Sequence, residues 1–473
     1  MMGGMGMDRI SVQGDRFVDQ MGRTRIFSGI NLVSKGRACD GGYDFAERFG
    51  EREFAAMQDM GFNIVRLGLT WASVEPRPGQ YDETRIDWLI SMLDMCERHG
   101  MHAILDMHQD LFAQRFSDGA PDWAVLTECG FEPSALWSEA YLHGGAVTQA
   151  FDAFWADAEV EGVGLIERYA RMWRHLAHRI AGHPAIMAVD IMNEPHPGGT
   201  AELAVMQLMQ GFSRASGMPY EEVMGKFMDD AGRMELIEQL RDTELYRAMT
   251  DAVDAVDAFE SGALSDMYER VGAQIRAEMP NVILLRENCY FGNIGVRCMA
   301  RAPQGAFAFS PHGYDWVVDT PASPFASDER AGFIFERHAQ TQRRLGMPVL
   351  VGEWGGMYMY DGRRHERFLL DLFERNKWSS TYWCWFDDFD KTYSAKVLKR
   401  AYPMAIAGEL DMYSSADGRF VCRWDENGAG GESLVFLPEQ AKRAQLDGAP
   451  IDAPCGIMHI ASKGGVRELT VEF

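Results

Sequence analysis

The sequence predicts an α/β fold, a (β/α)8 TIM barrel followed by a C-terminal antiparallel β-sandwich domain. Apolar, β-rich runs alternate with helical stretches through about the first 390 residues, a pattern typical of strand–helix–strand units. Two of these runs end in a glutamate, at Glu194 and at Glu353. From about residue 400, short β runs and Gly-rich turns replace the helical pattern, which indicates a separate β domain.

The prediction of a barrel rests on eight predicted strands. They lie at residues 26–33, 63–69, 102–107, 185–192, 281–286, 305–310, 347–352 and 380–386. The stretches between them, such as 86–99 and 165–180, carry apolar residues at helical spacing. Eight strand–helix units are the number that closes a TIM barrel.

A long segment after the fourth predicted strand interrupts this rhythm. Residues 196–265 far exceed the usual connection of about 2–6 residues, and they contain helical stretches rich in Met and acidic residues. We interpret the segment as a helical insertion. It is either an excursion with its own packed core or a lid whose Met and Leu side chains border the active-site mouth.

The predicted domain organisation follows from these patterns. We expect a catalytic barrel domain over residues 1–395, with the helical insertion inside it, and a β-sandwich domain over residues 396–473. A second long insertion at residues 109–160 is rich in aromatic side chains. The chain of 473 residues is 47% hydrophobic and 25% charged, so it can bury a full core.

Charge and cysteine usage exclude several functions. The formal net charge of −24 gives a surface that repels phosphates, so we expect no nucleic acid partner. The eight cysteines are scattered without a C-x-x-C pair, which argues against a disulfide framework and a zinc site.

The N-terminus lacks the basic and apolar regions of a signal peptide, and no apolar run approaches the ~20 residues of a membrane span. We expect a cytoplasmic protein, or a secreted one if a leader has been removed. Stable membrane insertion is not expected, whereas transient contact with a membrane surface is possible.

The two glutamates predict the chemistry. A carboxylate at the C-terminal end of a barrel strand points into the barrel mouth. Two carboxyl groups about 5–5.5 Å apart, one protonated and one ionised, hydrolyse glycosidic bonds with retention. We assign Glu194 as acid/base, Glu353 as nucleophile and Asn193 as the group that holds the sugar 2-hydroxyl. The alternative is that either glutamate only ends a strand in a salt bridge.

With these motifs, residues 25–390 resemble glycoside hydrolase family 5, a family of retaining (β/α)8 glycosidases. Further matching positions are Arg66 in NIVRL, His108 in DMHQD, His312 and Tyr314 in SPHGY, and Trp385 near the end of the eighth strand. The resemblance implies that Arg66 orients the nucleophile, that Tyr314 hydrogen-bonds to it and that Trp385 forms a platform under the sugar. Taken singly, a histidine such as His108 is more often a satisfied core histidine, and it is the joint appearance of these residues in the family's order that carries the resemblance.

Within that family the chain resembles endoglycoceramidases and related glycosylceramide-cleaving members. Lys35 in GINLVSK, Asp110 in HQDLF and Trp123 in GAPDW match their motifs, as does the segment RAYP at 400–403. The resemblance implies that Lys35 and Asp110 bind the sugar, which charge-assisted hydrogen bonds would support, and that Trp123 lines the cleft. The alternatives are a solvated loop charge for Lys35 and a helix N-cap for Asp110.

We therefore predict a retaining β-glycosidase that hydrolyses the bond between glycan and ceramide in glycosphingolipids, through a covalent glycosyl-enzyme. The alternative is a β-glucosidase of the same family that acts only on glucosylceramide, or on a steryl, aryl or oligosaccharide β-glucoside. A third hypothesis is a non-catalytic glycolipid-binding protein. The zinc-helix, phosphate-loop, dinucleotide and nucleophile-elbow motifs are not found, so we expect no cofactor and no metal, and a glycolipid or other β-glycoside as partner.

Overall fold

A computed structural model of the chain describes residues 7–39, 42–45, 49–134, 136–142, 145–357, 360–426 and 430–473. Eight parallel strands form one sheet, in the spatial order six, five, four, three, two, one, eight, seven. A parallel bridge between Phe309 and Val349 joins strands six and seven and closes the barrel. The strands are Ser28–Val33, Ile64–Thr70, His102–His108, Ile186–Asp190, Ile283–Arg286, Phe307–Phe309, Leu350–Val351 and Ser379–Tyr382. The predicted (β/α)8 barrel is confirmed.

Helices on the outside of the barrel connect most of its strands. They are Glu51–Asp59, Trp71–Val74, Glu83–Arg98, Ala146–Trp155, Leu165–Ile180, Ser265–Glu278, Asp328–Leu345, Arg363–Asn376 and Tyr393–Leu398. Helix Leu165–Ile180 shows why they dock: it buries Tyr169, Trp173 and Leu176, spaced three or four residues apart on one face. Strands five and six are joined through a short turn of helix, Tyr290–Ile294.

The segment predicted to be a helical insertion contains five α-helices, followed by a turn of π-helix at Glu260–Leu264. The five α-helices are Thr200–Ser216, Tyr220–Phe227, Asp230–Gln239, Thr243–Asp251 and Asp257–Phe259. Local signals set their limits: the Asp229 and Asp242 side chains accept backbone N–H groups at two helix starts. Buried side chains such as Phe212 and Tyr246 join these helices to the main core.

The barrel interior is layered. An apolar layer includes Ile64, Ile104, Ala188, Leu285, Ala308 and Leu350. Because strand side chains alternate between two faces, the residue two positions further along each strand also points inward. At that level stand Arg66, Asp106, Asp190, Glu287 and Ser310, all of them buried. A polar layer therefore lies between the apolar interior and the carboxyl ends of the strands.

Two antiparallel sheets outside the barrel, built mainly from the C-terminal strands, form the predicted β-sandwich, which is confirmed. The five-stranded sheet contains Glu409–Ala416, Arg419–Asp425, Val466–Glu472, Arg443–Leu446 and Ala449–Pro450. The six-stranded sheet contains Ile10–Gln13, Arg16–Asp19, Thr24–Arg25, Tyr402–Ile406, Glu432–Leu437 and Gly456–Ala461. Side chains of both sheets, among them Tyr413, Trp424 and Phe436, share one apolar core.

The N-terminal strands belong to the sandwich sheet rather than to the barrel. Thr24–Arg25 pairs with Tyr402–Ile406, almost 400 residues later. The predicted division assigned residues 1–25 to the barrel domain and did not foresee this pairing. These strands are two to four residues long, which is too short for a periodic pattern to reveal them.

We expect Phe17→Ala to lower the free energy of unfolding by about 3–5 kcal/mol, the usual cost of removing a buried Phe side chain. Phe17 is 3% exposed, packs edge-on against Phe27 at 5.7 Å between ring centroids, and belongs to the same cluster as the barrel's apolar layer. Urea unfolding measures the change. Ile457→Ala, at a side chain 49% exposed, is the control and should cost less than about 0.5 kcal/mol. Equal effects of the two substitutions would contradict the assigned packing.

Candidate active site

A cavity of about 570 Å³ opens at the carboxyl ends of the barrel strands. Its polar lining includes Lys35, His108, Asp110, Glu194, Asn293, Tyr314 and Glu353. These side chains come from the ends of six different strands or from the loops that follow them, so only barrel closure brings them together. Predicted residues that are far apart in the sequence therefore share one site.

The fully buried guanidinium of Arg66 forms the centre of the site. Its Nη1 donates to Glu353 Oε1 at 2.7 Å and to Asn31 Oδ1 at 3.0 Å. Its Nη2 donates to Asn193 Oδ1 at 2.9 Å, and further contacts of 3.0–3.2 Å reach Asp106, Asp190 and Glu287. Burial alone would lower the pKa of Arg66, but the surrounding carboxylates raise it well above its usual value. Arg66 therefore stays charged and fixes both Asn193 and Glu353.

Glu353 follows the seventh strand, and both of its carboxylate oxygens are held. Oε1 accepts from Arg66, and Oε2 accepts from the Tyr314 hydroxyl at 3.0 Å. A parallel bridge between His312 and Glu353 aligns the loops after strands six and seven. One carboxylate oxygen of Glu353 lies within 4.8 Å of one carboxylate oxygen of Glu194.

Glu194 has a different environment. Its backbone lies in the left-handed region, with φ of 43°. Its Oε1 accepts from Asn293 Nδ2 at 2.8 Å and lies 2.9 Å from His312 Nδ1. Burial, reinforced by the Asp110 carboxylate, raises the pKa of Glu194 to about 7. The two glutamates therefore face each other with different partners: Arg66 pairs with Glu353 and makes no direct contact with Glu194.

Two histidines near the glutamates differ in charge. Burial lowers the pKa of His312 to about 3, so this ring is neutral. Burial also acts to lower the pKa of His108, but the Asp106 carboxylate, 2.8 Å from Nδ1, outweighs it and raises the pKa to about 10. His108 is therefore a cation, and its ring stacks on Trp383 at 5.2 Å between centroids.

Lys35 and Asp110 form an ion pair beside the glutamates. A second carboxylate, Asp118, lies 3.3 Å from Lys35 Nζ, and its Oδ1 accepts the Asp110 backbone N–H at 3.0 Å. Burial and its acidic neighbour Asp110 raise the pKa of Asp118 to about 6. The Lys35 side chain remains 36% exposed, so it can reach a ligand in the cavity.

The structure brings all the predicted site residues together except Trp123 and Trp385. The Trp123 indole N–H donates to the Glu75 carbonyl at 3.1 Å, and its ring packs on Trp71, outside the cavity lining. Trp385 is buried against Phe389 and does not line the cavity either.

Trp383 lines the cavity where Trp385 was expected. The last strand residue, Tyr382, points outward and its hydroxyl bonds to Glu366 on the neighbouring helix. Alternation along the strand then directs Trp383 inward, and the strand ends before the alternation can reach Trp385. The ammonium of Lys35 lies 5.0 Å from the Trp383 ring centroid.

Sequence reasoning missed several buried polar residues, namely Asn31, Asp106, Asp118, Asp190, Glu287 and Asn293. A signal existed for three of them. Asp106 and Asp190 interrupt apolar strands, and Glu287 directly follows another, so all three stood out as charges at strand ends. Asp118 lies in a loop and Asn293 in the short turn of helix Tyr290–Ile294, and neither leaves such a periodic signal.

The cavity also has an apolar wall, defined by Leu208, Met209, Phe227, Ile237 and Trp316. Four of these side chains come from the helical insertion. The insertion packs on the main core and also lines the active-site cavity.

Among the residues that the structure describes, three clusters of buried His and carboxylate groups are compact enough to hold a metal ion. They are His108–Asp110–Asp118, Asp190–Glu287–His312 and Glu194–His312–Glu353. In each cluster a protein cation, Lys35 or Arg66, already contacts a carboxylate. Charge balance therefore calls for no metal at these positions, and the expectation of a metal-independent site stays a prediction.

Comparisons with known proteins agree with this geometry. The family model described as Cellulase (glycosyl hydrolase family 5) matches residues 45–388. Endoglycoceramidase I of Rhodococcus hoagii (strain 103S) is 30% identical over 192 residues, which are 40% of this chain and 37% of that protein. A glucosylceramidase of Rhizopus delemar is 26% identical over 245 residues, which are 40% of this chain and 36% of that protein. The matched stretches thus span little more than a third of each of these relatives.

Among solved structures, endo-glycoceramidase II from Rhodococcus sp. with a cellobiose-like imidazole has a TM-score of 0.74 and 25% identity. The match covers 96% of this chain and 98% of that chain. The fold and the site define a (β/α)8 barrel with two facing glutamates at its mouth. The chain belongs to glycosyl hydrolase family 5, whose family model spans most of the barrel.

We expect the stability difference between the wild type and Glu194→Gln to depend on pH. The folded-state pKa of Glu194, about 7, lies above the ordinary value of 4.5, so ionisation opposes folding. The wild type should lose about 2–4 kcal/mol relative to Glu194→Gln as pH rises from about 4.5 through 7. Urea unfolding at pH 4.5 and pH 8 measures this difference. Glu244→Gln, at a side chain 84% exposed, is the control for the change in net charge. A stability difference between the two proteins that does not change with pH would contradict the raised pKa of Glu194.

Proposed function

We propose that this chain is a retaining β-glycosidase that hydrolyses the bond between glycan and ceramide in glycosphingolipids. The carrying observation is the separation of the glutamates, whose nearest oxygens lie within 4.8 Å. Retaining glycosidases need about 5–5.5 Å between their carboxyl groups, whereas inverting ones need about 6.5–9.5 Å. Membership of glycosyl hydrolase family 5 and the names of the relatives support the same chemistry.

In the first step Glu353 is the nucleophile and Glu194 the general acid. A Glu353 oxygen attacks the anomeric carbon, and the bond from that carbon to the ceramide oxygen breaks. The departing oxygen takes the proton of Glu194. Arg66 and Tyr314 hold the Glu353 carboxylate for this attack, since each binds one of its oxygens.

The environment of Glu194 suits an acid that works near neutral pH. Its raised pKa of about 7 keeps a proton available there. Oε1 already accepts from Asn293 and faces His312, so the proton belongs on Oε2. In the second step the Glu194 carboxylate takes a proton from water, and the water oxygen displaces Glu353 from the anomeric carbon.

Polar groups around the pair would bind the sugar. Asn193 is fixed by Arg66 on one side and by the Gln109 carbonyl on the other, which leaves one amide hydrogen for the 2-hydroxyl. Lys35 and Asp110 would share vicinal hydroxyls through charge-assisted hydrogen bonds. The Trp383 ring would serve as the stacking platform that was first assigned to Trp385.

The apolar wall favours a lipid leaving group. A ceramide carries two hydrocarbon chains, and burying apolar area stabilises its complex by about 25 cal/mol per Å². The glucosylceramidase relative favours one alternative, action on glucosylceramide alone. The size of the glycan that the chain accepts separates cleavage of longer glycosphingolipids from action on glucosylceramide alone.

The deciding experiment incubates the purified chain with lactosylceramide and separately with glucosylceramide, and resolves the products by chromatography. We expect intact lactose and ceramide, with the β configuration kept in the first product seen by NMR. Glucose from glucosylceramide alone would establish the alternative. Binding of both lipids without turnover would favour the non-catalytic hypothesis.

We expect Glu353→Gln to lower the rate by about 10⁴-fold or more, because the variant cannot form the covalent glycosyl-enzyme. The matched control is Glu366→Gln, another buried glutamate, whose carboxylate bonds to Tyr382 and Ser394 outside the cavity. Its turnover should stay close to that of the wild type. Unchanged far-UV circular dichroism would show that both variants fold. Full turnover by Glu353→Gln would contradict the assigned nucleophile.

We further propose that the chain meets its lipid by transient contact with a neutral bilayer surface. Among the described residues, no helix combines the length and apolar character needed to cross a membrane. The most exposed apolar side chains near the cavity include Met228 at 69%, which follows Phe227 of the apolar wall, and Phe325 at 63%. The Arg330 guanidinium binds the carbonyls of both Phe325 and Ile237, so Phe325 also borders the apolar wall. The net charge of −24 disfavours anionic lipid.

The double variant Met228→Ser/Phe325→Ser should hydrolyse glycosylceramide in phosphatidylcholine vesicles about ten-fold more slowly. The substitutions weaken the contact with the bilayer surface, because burying each apolar side chain contributes ~1.5–3 kcal/mol. Its rate on a soluble aryl glucoside should not change. Ile457→Ser, exposed on the sandwich, is the control. Equal losses on vesicles and on the soluble substrate would contradict the surface contact.

A further inference from the structure

Glu287, directly after the fifth barrel strand, holds the backbone of Glu194. It is 1% exposed, and its Oε2 accepts the Glu194 backbone N–H at 2.7 Å. Its own backbone N–H donates to the Tyr268 hydroxyl at 3.1 Å. Because Glu194 has a φ of 43°, a conformation that costs a non-glycine residue roughly 1–2 kcal/mol, its backbone needs such an anchor.

The other oxygen of Glu287 contacts the groups on either side of the glutamate pair. Oε1 accepts from Arg66 Nη2 at 3.2 Å and lies 3.3 Å from His312 Nε2. His312 in turn lies 2.9 Å from Glu194 Oε1. Glu287 therefore reaches Glu194 twice, directly through the backbone and indirectly through the imidazole that touches its carboxyl group.

We propose that Glu287 is the positioning residue for Glu194, fixing its backbone and its histidine partner so that the carboxyl group meets the leaving oxygen. The proposal rests on the proposed function, because it assigns a task within that reaction. Glu287 need not touch the substrate and does not line the cavity.

The charges around Glu287 suit a carboxyl group that keeps its proton. It faces the carboxylates of Asp190 and Glu194, the guanidinium of Arg66 and the neutral ring of His312. Burial, together with Asp190, raises the pKa of Glu287 well above its usual value. A protonated Glu287 still offers acceptor oxygens to the Glu194 backbone N–H and to Arg66. A neutral Glu287 thereby accepts hydrogen bonds from two parts of the site without burying another negative charge beside Asp190.

Substrates with good and poor leaving groups show whether Glu287 positions the general acid Glu194 or only supports the structure of the site. A lipid alcohol is a poor leaving group and needs the proton of Glu194 when its bond breaks. A dinitrophenolate is a good leaving group and departs without it. If Glu287 acts through Arg66 on the nucleophile, both substrates lose rate equally. If it positions Glu194, only the lipid or alkyl substrate is strongly affected.

The experiment compares kcat/KM of the wild type, Glu287→Gln and Glu287→Ala on an alkyl β-lactoside and on a dinitrophenyl β-lactoside. We expect Glu287→Ala to lose about 100-fold on the alkyl substrate, since misplacing a catalytic group by about 1 Å costs that much. On the dinitrophenyl substrate the loss should stay below about 3-fold. Glu287→Gln keeps a neutral side chain of the same shape and should recover part of the alkyl activity.

The matched control is Glu426→Gln. Glu426 is another buried carboxyl group that accepts backbone N–H groups, from Lys463 and Gly464, but it lies in the sandwich. Its substitution should leave the ratio of the two kcat/KM values unchanged. Equal losses on both substrates in the Glu287 variants, or no loss on either, would overturn the positioning role. Failure of the proposed function gives a different result, since the wild type itself would then hydrolyse neither lactoside.

Discussion

The ionic cluster around Arg66 is the interaction on which the rest of the site depends. Removing a guanidinium and several carboxylates from water costs several kcal/mol per ion, and only close pairing with good hydrogen bonds offsets that cost. Arg66 meets this requirement by contacting side chains on or just after strands one, three, four, five and seven. The same contacts lock the carboxyl ends of those strands together, so the charge cluster that would otherwise destabilise the barrel also fixes the geometry of its mouth.

The division of labour between the two glutamates follows from their position relative to this cluster. Glu353 is bound directly by Arg66, whereas Glu194 is bound by Asn293 and His312 and has no direct cation partner. Desolvation without a paired cation favours the protonated form of a carboxyl group. One barrel thus provides a carboxylate and a carboxylic acid a few ångströms apart, as retaining hydrolysis requires.

The cavity combines two kinds of surface that a glycolipid would need. Fixed charges and hydrogen-bonding groups lie around the glutamates, while the apolar wall is supplied largely by an insertion that the barrel itself does not require. The same insertion packs on the barrel helices through buried side chains such as Phe212 and Tyr246. Because its helices are anchored in this way, its apolar side chains are held beside the polar site.

The sequence by itself determined the eight strands and the two glutamates, Glu194 and Glu353, that follow two of them, since strand alternation and strand ends are local properties that a pattern records. Arg66, His108, His312 and Tyr314 were predicted from the resemblance of their motifs to glycoside hydrolase family 5, not from the strand pattern. The tertiary structure alone decided which tryptophan lines the cavity, because where the eighth strand stops depends on its neighbours. It also decided that the first strands join the C-terminal sheet and that Glu287 supports Glu194. Those contacts join residues about 90 to almost 400 positions apart, and no local periodicity encodes such a distance.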